Sequence, residues 1–325
     1  MKNFLHKTSA IFLGLCVIIP LSVAAADLTV ESDNQHFIDA QNKVELRGDV
    51  RVKYDDVNVK SPRATVNLKD GKVKDVKFFE DVYSYQETKE KTNEIKSRIL
   101  EMSLLDKVIT ADGKTQSTVL QGKIPTITVT ADTQAYDNKT NIITASGGVV
   151  VRYKDIDAFA DNARVDLDKQ NNVKRIELNG NGRITQKDST VTAHRFVYYA
   201  DKKVATADGN VFTDLKDEKD SIKVWSDYQQ INQKTNVMSA SGHAKIIYKD
   251  FTATGPRAVV FPDNKGKLNR VVFSGRSKIT QETRSVEADK IVLTLNPKDF
   301  NAEGNVKTFI GNVGNGSSDS KDTLF

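Results

Sequence analysis

Three times along this chain an aspartate is followed fifteen residues later by a glycine, and six residues after that by a tyrosine. The triplets are Asp33/Gly48/Tyr54, Asp132/Gly147/Tyr153 and Asp227/Gly242/Tyr248. The wording around each glycine matches too: ELRGDVRVKY (45–54), TASGGVVVRY (144–153) and SASGHAKIIY (239–248). The copies are offset by 99 and then 95 residues, without a gap through SPRA, ADNA and GPRA. A fixed period of this kind marks a tandem array, in which each unit buries its apolar face partly against its neighbours. It argues against a single enzyme domain with one active-site cleft.

Within the period the apolar residues alternate. Val50, Val52 and Tyr54 interleave with Arg51 and Lys53, and Val149, Val151 and Tyr153 with Val150, Arg152 and Lys154. Period two with one apolar face predicts half-buried β-strands. Further strands follow around Val57/Val59, Ala64/Val66/Leu68 and Val76/Phe78, with counterparts such as Ile156/Ala158 and Ala163/Val165/Leu167. Turn residues separate them, Lys69-Asp70-Gly71 for example, so the chain reads as all-β and antiparallel. Alternation assigns Val50, Val52, Tyr54, Val66, Val149, Val151, Tyr153, Val165, Ile246 and Tyr248 to the inward face.

A half-repeat lies inside each unit. Asp33, Arg98, Asp132, His194, Asp227 and Asp289 each precede a glycine by fifteen residues: Gly48, Gly113, Gly147, Gly209, Gly242 and Gly304. Glycine at that point predicts a bulge or bend that lets a sheet coil, since it alone takes positive φ freely. The marker aspartate reads as a turn or bulge residue bonded to its own backbone. Two stretches depart from the pattern. Between Glu80 and Arg98 strand character is weak, with residues 86–94 predicted as an inserted loop, and residues 113–123 lack apolar alternation.

The ends follow a different grammar. Lys2 and Lys7 precede an apolar run from Ala10 to Leu21, and Ala24-Ala25-Ala26 offers a small-residue cleavage site. Residues 1–26 therefore read as a secretory signal peptide, the alternative being an uncleaved membrane anchor. Tandem units are expected over 27–126, 127–221 and 222–310, and the Gly/Ser/Asp-rich residues 311–325 as a disordered tail. The one cysteine, Cys16, falls in the leader, so no disulfide framework and no thiol chemistry is expected downstream. Net charge falls from +5 to +3 once Lys2 and Lys7 leave, with both signs interspersed. That pattern excludes the clustered basic surface of a nucleic-acid binder. His36, His194 and His243 share no ligand spacing, and no phosphate loop or dinucleotide fingerprint occurs, so neither an enzyme nor a cofactor is expected. The apolar interior admits two readings, a plain sandwich core or a trough that takes a lipid.

LTVESDNQ (28–35), the fifteen-residue Asp-to-Gly step, the GDV, GGV and GNV turns and the ADK of residues 288–290 resemble the OstA-like family. That family includes the lipopolysaccharide-transport proteins LptA and LptC and the N-terminal domain of LptD. The resemblance spans residues 28–310. It implies a β-jelly-roll, V-shaped in section, whose groove carries the acyl chains of lipid A from inner to outer membrane through the periplasm. It also implies partners of the same fold joined end to end, including further copies of this chain as a head-to-tail homo-oligomer. The apolar pair before the ESD sequence, tied in the family to lipopolysaccharide binding, falls on Leu28 and Val30. Ile127/Val129 and Ile222/Val224 are its repeat equivalents. An LptC-like component anchored at the inner membrane and a structural envelope protein with a filled interior are the competing expectations. Residues 28–33 and 305–310 are expected to be open sheet edges.

Overall fold

The computed structural model describes residues 28–87, 91–169, 172–186, 189–217, 220–263, 268–295 and 298–311. The expected leader and nearly all of the expected tail lie outside these residues. Strands alternate with tight polar turns throughout. The first are β1 (Leu28–Glu31), β2 (Asn34–Ile38), β3 (Lys43–Tyr54), β4 (Val57–Lys69), β5 (Lys72–Glu87) and β6 (Thr92–Ser103). Next come β7 (Val108–Gln121), β8 (Ile124–Asp137), β9 (Ile142–Tyr153), β10 (Ile156–Leu167), β11 (Val173–Gln186) and β12 (Ser189–Tyr199). The remainder are β13 (Val204–Asp217), β14 (Asp220–Asn232), β15 (Val237–Tyr248), β16 (Phe251–Pro262), β17 (Leu268–Gln281), β18 (Arg284–Leu295), β19 (Lys298–Glu303) and β20 (Lys307–Ile310). All belong to one antiparallel sheet. Two compact units divide the chain, one ending at Gly180 and the other starting at Asn181.

Every odd strand whose register is defined, from β3 to β17, carries the same irregularity. On β3, Gly48 and Asp49 together face the single residue Pro62, because Arg47 pairs with Arg63 and Val50 with Ser61. On β5, Glu80 and Asp81 face Arg98; on β7, Gly113 and Lys114 face Asp132; on β9, Gly147 and Gly148 face Asp161. The second unit repeats this with Gly209-Asn210 facing Asp227, Gly242-His243 facing Pro256, and Gly275-Arg276 facing Asp289. An extra residue in one strand of a pair is a β-bulge, which bends the strand and increases its local twist. Repeated in register, these bulges form a crease across each unit and halve every long strand.

Both halves then bury the same face. Val44 and Leu46 before the crease and Val50 and Val52 after it enter one apolar cluster with Ala64, Phe78, Leu100 and Met102. The sheet is therefore folded along the crease into two walls with their apolar faces together, the all-β jelly-roll arrangement expected from the sequence. The second unit does likewise around Val224, Ile246, Phe273, Ile279 and Ile291.

The glycine expectation holds, and the reading of the marker aspartate is corrected. Gly147 has φ +79° and its neighbour Gly148 +58°. A Cβ at Gly147 would lie 2.6 Å from the Cβ of Asp132. The marker residue is thus the cross-strand neighbour that lies over the glycine, and not a turn residue bonded to itself. Its backbone joins the ladder where the strand breaks: the Asp33 N–H donates to Gly48 O at 3.0 Å and the Asp289 N–H to Gly304 O at 2.9 Å. The pattern also recurs at Gly180 under Asp161 and Gly275 under Pro256, which the fifteen-residue rule did not reach. At the β5 bulge the first residue is Glu80, held at φ +64° without a glycine.

The inserted loop predicted over 86–94 is likewise corrected. β5 runs on to Glu87 and β6 starts at Thr92. Hairpin turns elsewhere follow the polar sequences expected. Asp137 Oδ1 accepts the N–H groups of Lys139 at 2.8 Å and Thr140 at 3.2 Å. Asn232 repeats this with Lys234 and Thr235 at 2.9 and 3.3 Å. Each is an Asx turn, a side chain standing in for a backbone carbonyl.

Two substitutions test the crease. Gly147→Ala should destabilise by about 2 kcal/mol or more, combining positive-φ strain with a contact that cannot relax. Gly71→Ala, where a Cβ would meet nothing within 4 Å, should cost less. Glu80→Gly should raise the denaturation midpoint, because it relieves a non-glycine residue of a left-handed conformation costing about 1–2 kcal/mol. Urea titrations of the three variants measure both signs.

Candidate functional site

The creased walls give each unit a trough lined by alternate residues of successive strands. The apolar pairs singled out in the sequence meet across strands. Leu28 pairs with Tyr54 and Val30 with Val52. Ile127 pairs with Tyr153 and Val129 with Val151. Ile222 pairs with Tyr248 and Val224 with Ile246. Val66 and Val165 are buried on the other wall, opposite Val44 and Ile143. The two apolar pairs therefore recur in the same arrangement three times, with Val50 and Val149 buried next to the crease in the first two copies.

Along β3, β9 and β15 the inward side chains become less buried from the crease to the strand end. Val50, next to the crease, is 0 % exposed and Val52 is 2 %, while Tyr54 and its partner Leu28 are only half-buried. Ala244 is 1 % exposed and Ile246 8 %, with Tyr248 and Ile222 half-buried. Val151 and Val129 are buried, with Tyr153 and Ile127 half-buried. Half-buried residues therefore stand at the ends of β3, β9 and β15, while Val57 and Ile156, paired with Tyr54 and Tyr153 on the following strands, are buried. Half-buried aromatic and aliphatic side chains form the lip. Lys154 stands 5.0 Å from the ring of Tyr153 and Lys249 5.3 Å from that of Tyr248, so a cation borders the apolar lip in two of the three copies.

The lining is not wholly apolar, and here the sequence reading missed residues. On β5 the small polar residues Ser84 and Gln86 point inward while Tyr83 and Tyr85 point outward, where their rings stack at 5.6 Å. Burial and a hydrogen bond to Glu94 Oε1 at 2.7 Å raise the Tyr83 pKa well above its usual value. On β7, Thr115 and Ser117 face inward and meet Gln134 of β8. Ser117 Oγ donates to Gln134 Oε1 at 2.6 Å, and Gln134 Nε2 donates to Thr115 Oγ1 at 2.8 Å. This inverted pattern explains why residues 80–98 and 113–123 looked unlike strands.

Among the described residues no three His, Cys, Asp or Glu side chains are grouped to hold a metal ion. His243 Nδ1 lies 2.9 Å from Asp227 Oδ2, but both are exposed on the outer side of a bulge. Asp157 is exposed and pairs with Arg152 at 3.7 Å.

Comparison with known proteins gives a family. Residues 128–224 match the family model described as "LptA/(LptD N-terminal domain) LPS transport protein". No curated protein sequence matches the chain. Among solved structures, LptH of Pseudomonas aeruginosa is similar at 16% identity. Its title calls it "the LptA homologous periplasmic component of the conserved lipopolysaccharide transport device". The alignment covers 37% of this chain and 82% of that one, with a TM-score of 0.33. These relatives are transport proteins, not enzymes. The match supports a relationship of this segment to the LptA and LptD N-terminal lipopolysaccharide-transport family, and the strand–bulge unit recurs on both sides of the matched residues.

Proposed function

We propose that the chain is a periplasmic lipopolysaccharide-binding bridge protein that carries the acyl chains of lipid A in its apolar trough. Residues 27–126, 127–221 and 222–310 are read as three tandem copies of the carrying unit. The observation that supports this most is the graded lining: mainly apolar in three copies, closed at the crease and half-exposed at the ends of β3, β9 and β15. Burying a CH₂ group is worth roughly 0.8 kcal/mol, so even a few carbons drawn between the walls would be held. A lining repeated from strand to strand lets a chain advance with little change in burial, so no position becomes a deep trap. Lys154 and Lys249 at the lip suit an anionic headgroup.

Complete burial of Val50, Phe78 and Ile279 favours a second reading, a filled structural core. Photo-reactive residues separate the two. At Val52, Val151 and Ile246 they should label lipopolysaccharide, whereas at Arg51, Arg152 and Lys245, one step along each strand and outward-facing, they should not. Equal labelling of both sets, or labelling of neither, supports the filled core. Val151→Asp should abolish labelling at Ile127, with a melting curve to separate lost binding from lost folding.

The sheet's two ends support transfer between chains. Among the described residues β1 and β2 pair with β3 alone, and β19 and β20 with β18 alone. Exposed strand edges recruit further strands, and two different edges join head to tail without closing. The partners proposed are other OstA-like transport components and further copies of this chain. The Gly311 N–H donates to Thr283 O at 3.0 Å, which sets the phase of β20. In that phase the N–H of Phe309 faces β18 and that of Thr308 faces the open edge. Thr308→Pro should weaken self-association at least about tenfold while leaving the melting temperature nearly unchanged, and Phe309→Pro should lower the melting temperature. Sedimentation velocity with paired thermal melts checks it. Unchanged association in Thr308→Pro rules out this edge.

A further inference from the structure

Gln134 and Gln229 occupy the same place in successive copies, each two residues after the marker aspartate and buried against the trough. Their surroundings differ by one side chain. Gln134 Nε2 donates to Thr115 Oγ1 at 2.8 Å, and its Oε1 accepts from Ser117 at 2.6 Å. In the second unit Thr213 stands for Ser117 and donates to Gln229 Oε1 at 2.7 Å, but Val211 stands where Thr115 was. Gln229 Nε2 consequently has no partner, although the residue is only 5% exposed. Turning the amide over does not help: Thr213 then satisfies the nitrogen and leaves the oxygen alone.

A buried polar atom without a partner costs about 1–3 kcal/mol, which replacing one threonine by valine imposes and a ligand could relieve. Its neighbours across the strands are Ala207 on β13 and Ala240 on β15. Both are small and buried. Val224 and Ala244 of the same trough are buried as well. With Thr213 and Ser226 the amide forms a small buried polar group in a mainly apolar lining, and its nitrogen is left without a partner there. Gln134, fully satisfied by its own protein, is structural.

Resting on the lipid-trough reading, we propose that Gln229 is a specificity residue that binds a hydroxyl group carried on the acyl chain of the lipid. A hydroxyl both donates and accepts, so it completes the amide in either orientation, and a plain methylene completes it in neither. The expected consequence is preference for hydroxylated over unsubstituted chains of equal length, because binding the latter leaves the buried amide unpaired.

Binding of 3-hydroxytetradecanoic acid and of tetradecanoic acid to the full chain, measured by calorimetry below their micellar concentrations, tests this. The wild type should bind the hydroxy acid about tenfold more tightly. Val211→Thr supplies the missing internal partner and should abolish the preference while tetradecanoic acid still binds. Gln229→Leu should abolish it by removing the amide. A wild type that binds both acids equally overturns the role of Gln229 and leaves the trough standing. A preference that survives both variants overturns it as well. Binding of neither acid removes the trough and this inference together.

Discussion

The structure depends on one steric contact repeated along the sheet: a side chain on an even strand lies over the backbone of a bulge on the next odd strand. At Gly147 the carboxylate-bearing side chain of Asp132 occupies the space a Cβ would need. The backbone beneath takes positive φ at two consecutive residues. This makes the bulge directional, and its repetition in register turns isolated kinks into a crease. Everything functional follows from the crease. Without it the strands would form a flat sheet with one face bare. With it, the two halves of each strand become opposed walls that cover one another.

Folding a sheet on itself also sets where the lining is tight. Near the crease, valine and alanine suffice to fill the space, as Val50, Ala64, Ala244 and Ala258 do. At the ends of β3, β9 and β15 the larger residues Tyr54, Tyr153 and Tyr248 stand half-buried at the lip. The same geometry leaves room for polar exceptions inside, provided they find partners. Thr115, Ser117 and Gln134 do so among themselves. Tyr136, fully buried, turns its hydroxyl toward the Asn138 and Asn141 side chains at the hairpin end, and burial raises its pKa.

Much of this was legible in the sequence because the repeat ties distant residues to one structural role. The fifteen-residue interval to glycine located five bulges, and alternation after each glycine placed Val50, Val52, Val149 and Val151 on the buried face. The cross-strand pairing of Leu28 with Tyr54, Ile127 with Tyr153 and Ile222 with Tyr248 follows from the same period. What escaped was whatever broke the period locally. Gly180 and Gly275 lie at other intervals from the residues that cover them, and Glu80 makes its bulge without glycine. The strand over 80–98 was hidden because Tyr83 and Tyr85 face out while Ser84 and Gln86 face in, and that over 113–123 because Thr115 and Ser117 occupy inward positions, the reverse of the usual amphipathic signal. Polar residues there satisfy one another across strands, and no single-strand pattern shows that.

The central claim is that the crease is the hinge line of a trough whose walls part to admit acyl chains. Nitroxide labels at Lys43 and Lys53, the two ends of β3 on either side of Gly48, report the angle between the walls by pulsed dipolar spectroscopy. Adding purified lipopolysaccharide should lengthen their separation, by about the few ångströms an acyl chain requires between packed faces. An unchanged distance in protein shown to have bound lipopolysaccharide would contradict the account, because the lipid would then lie outside the folded sheet.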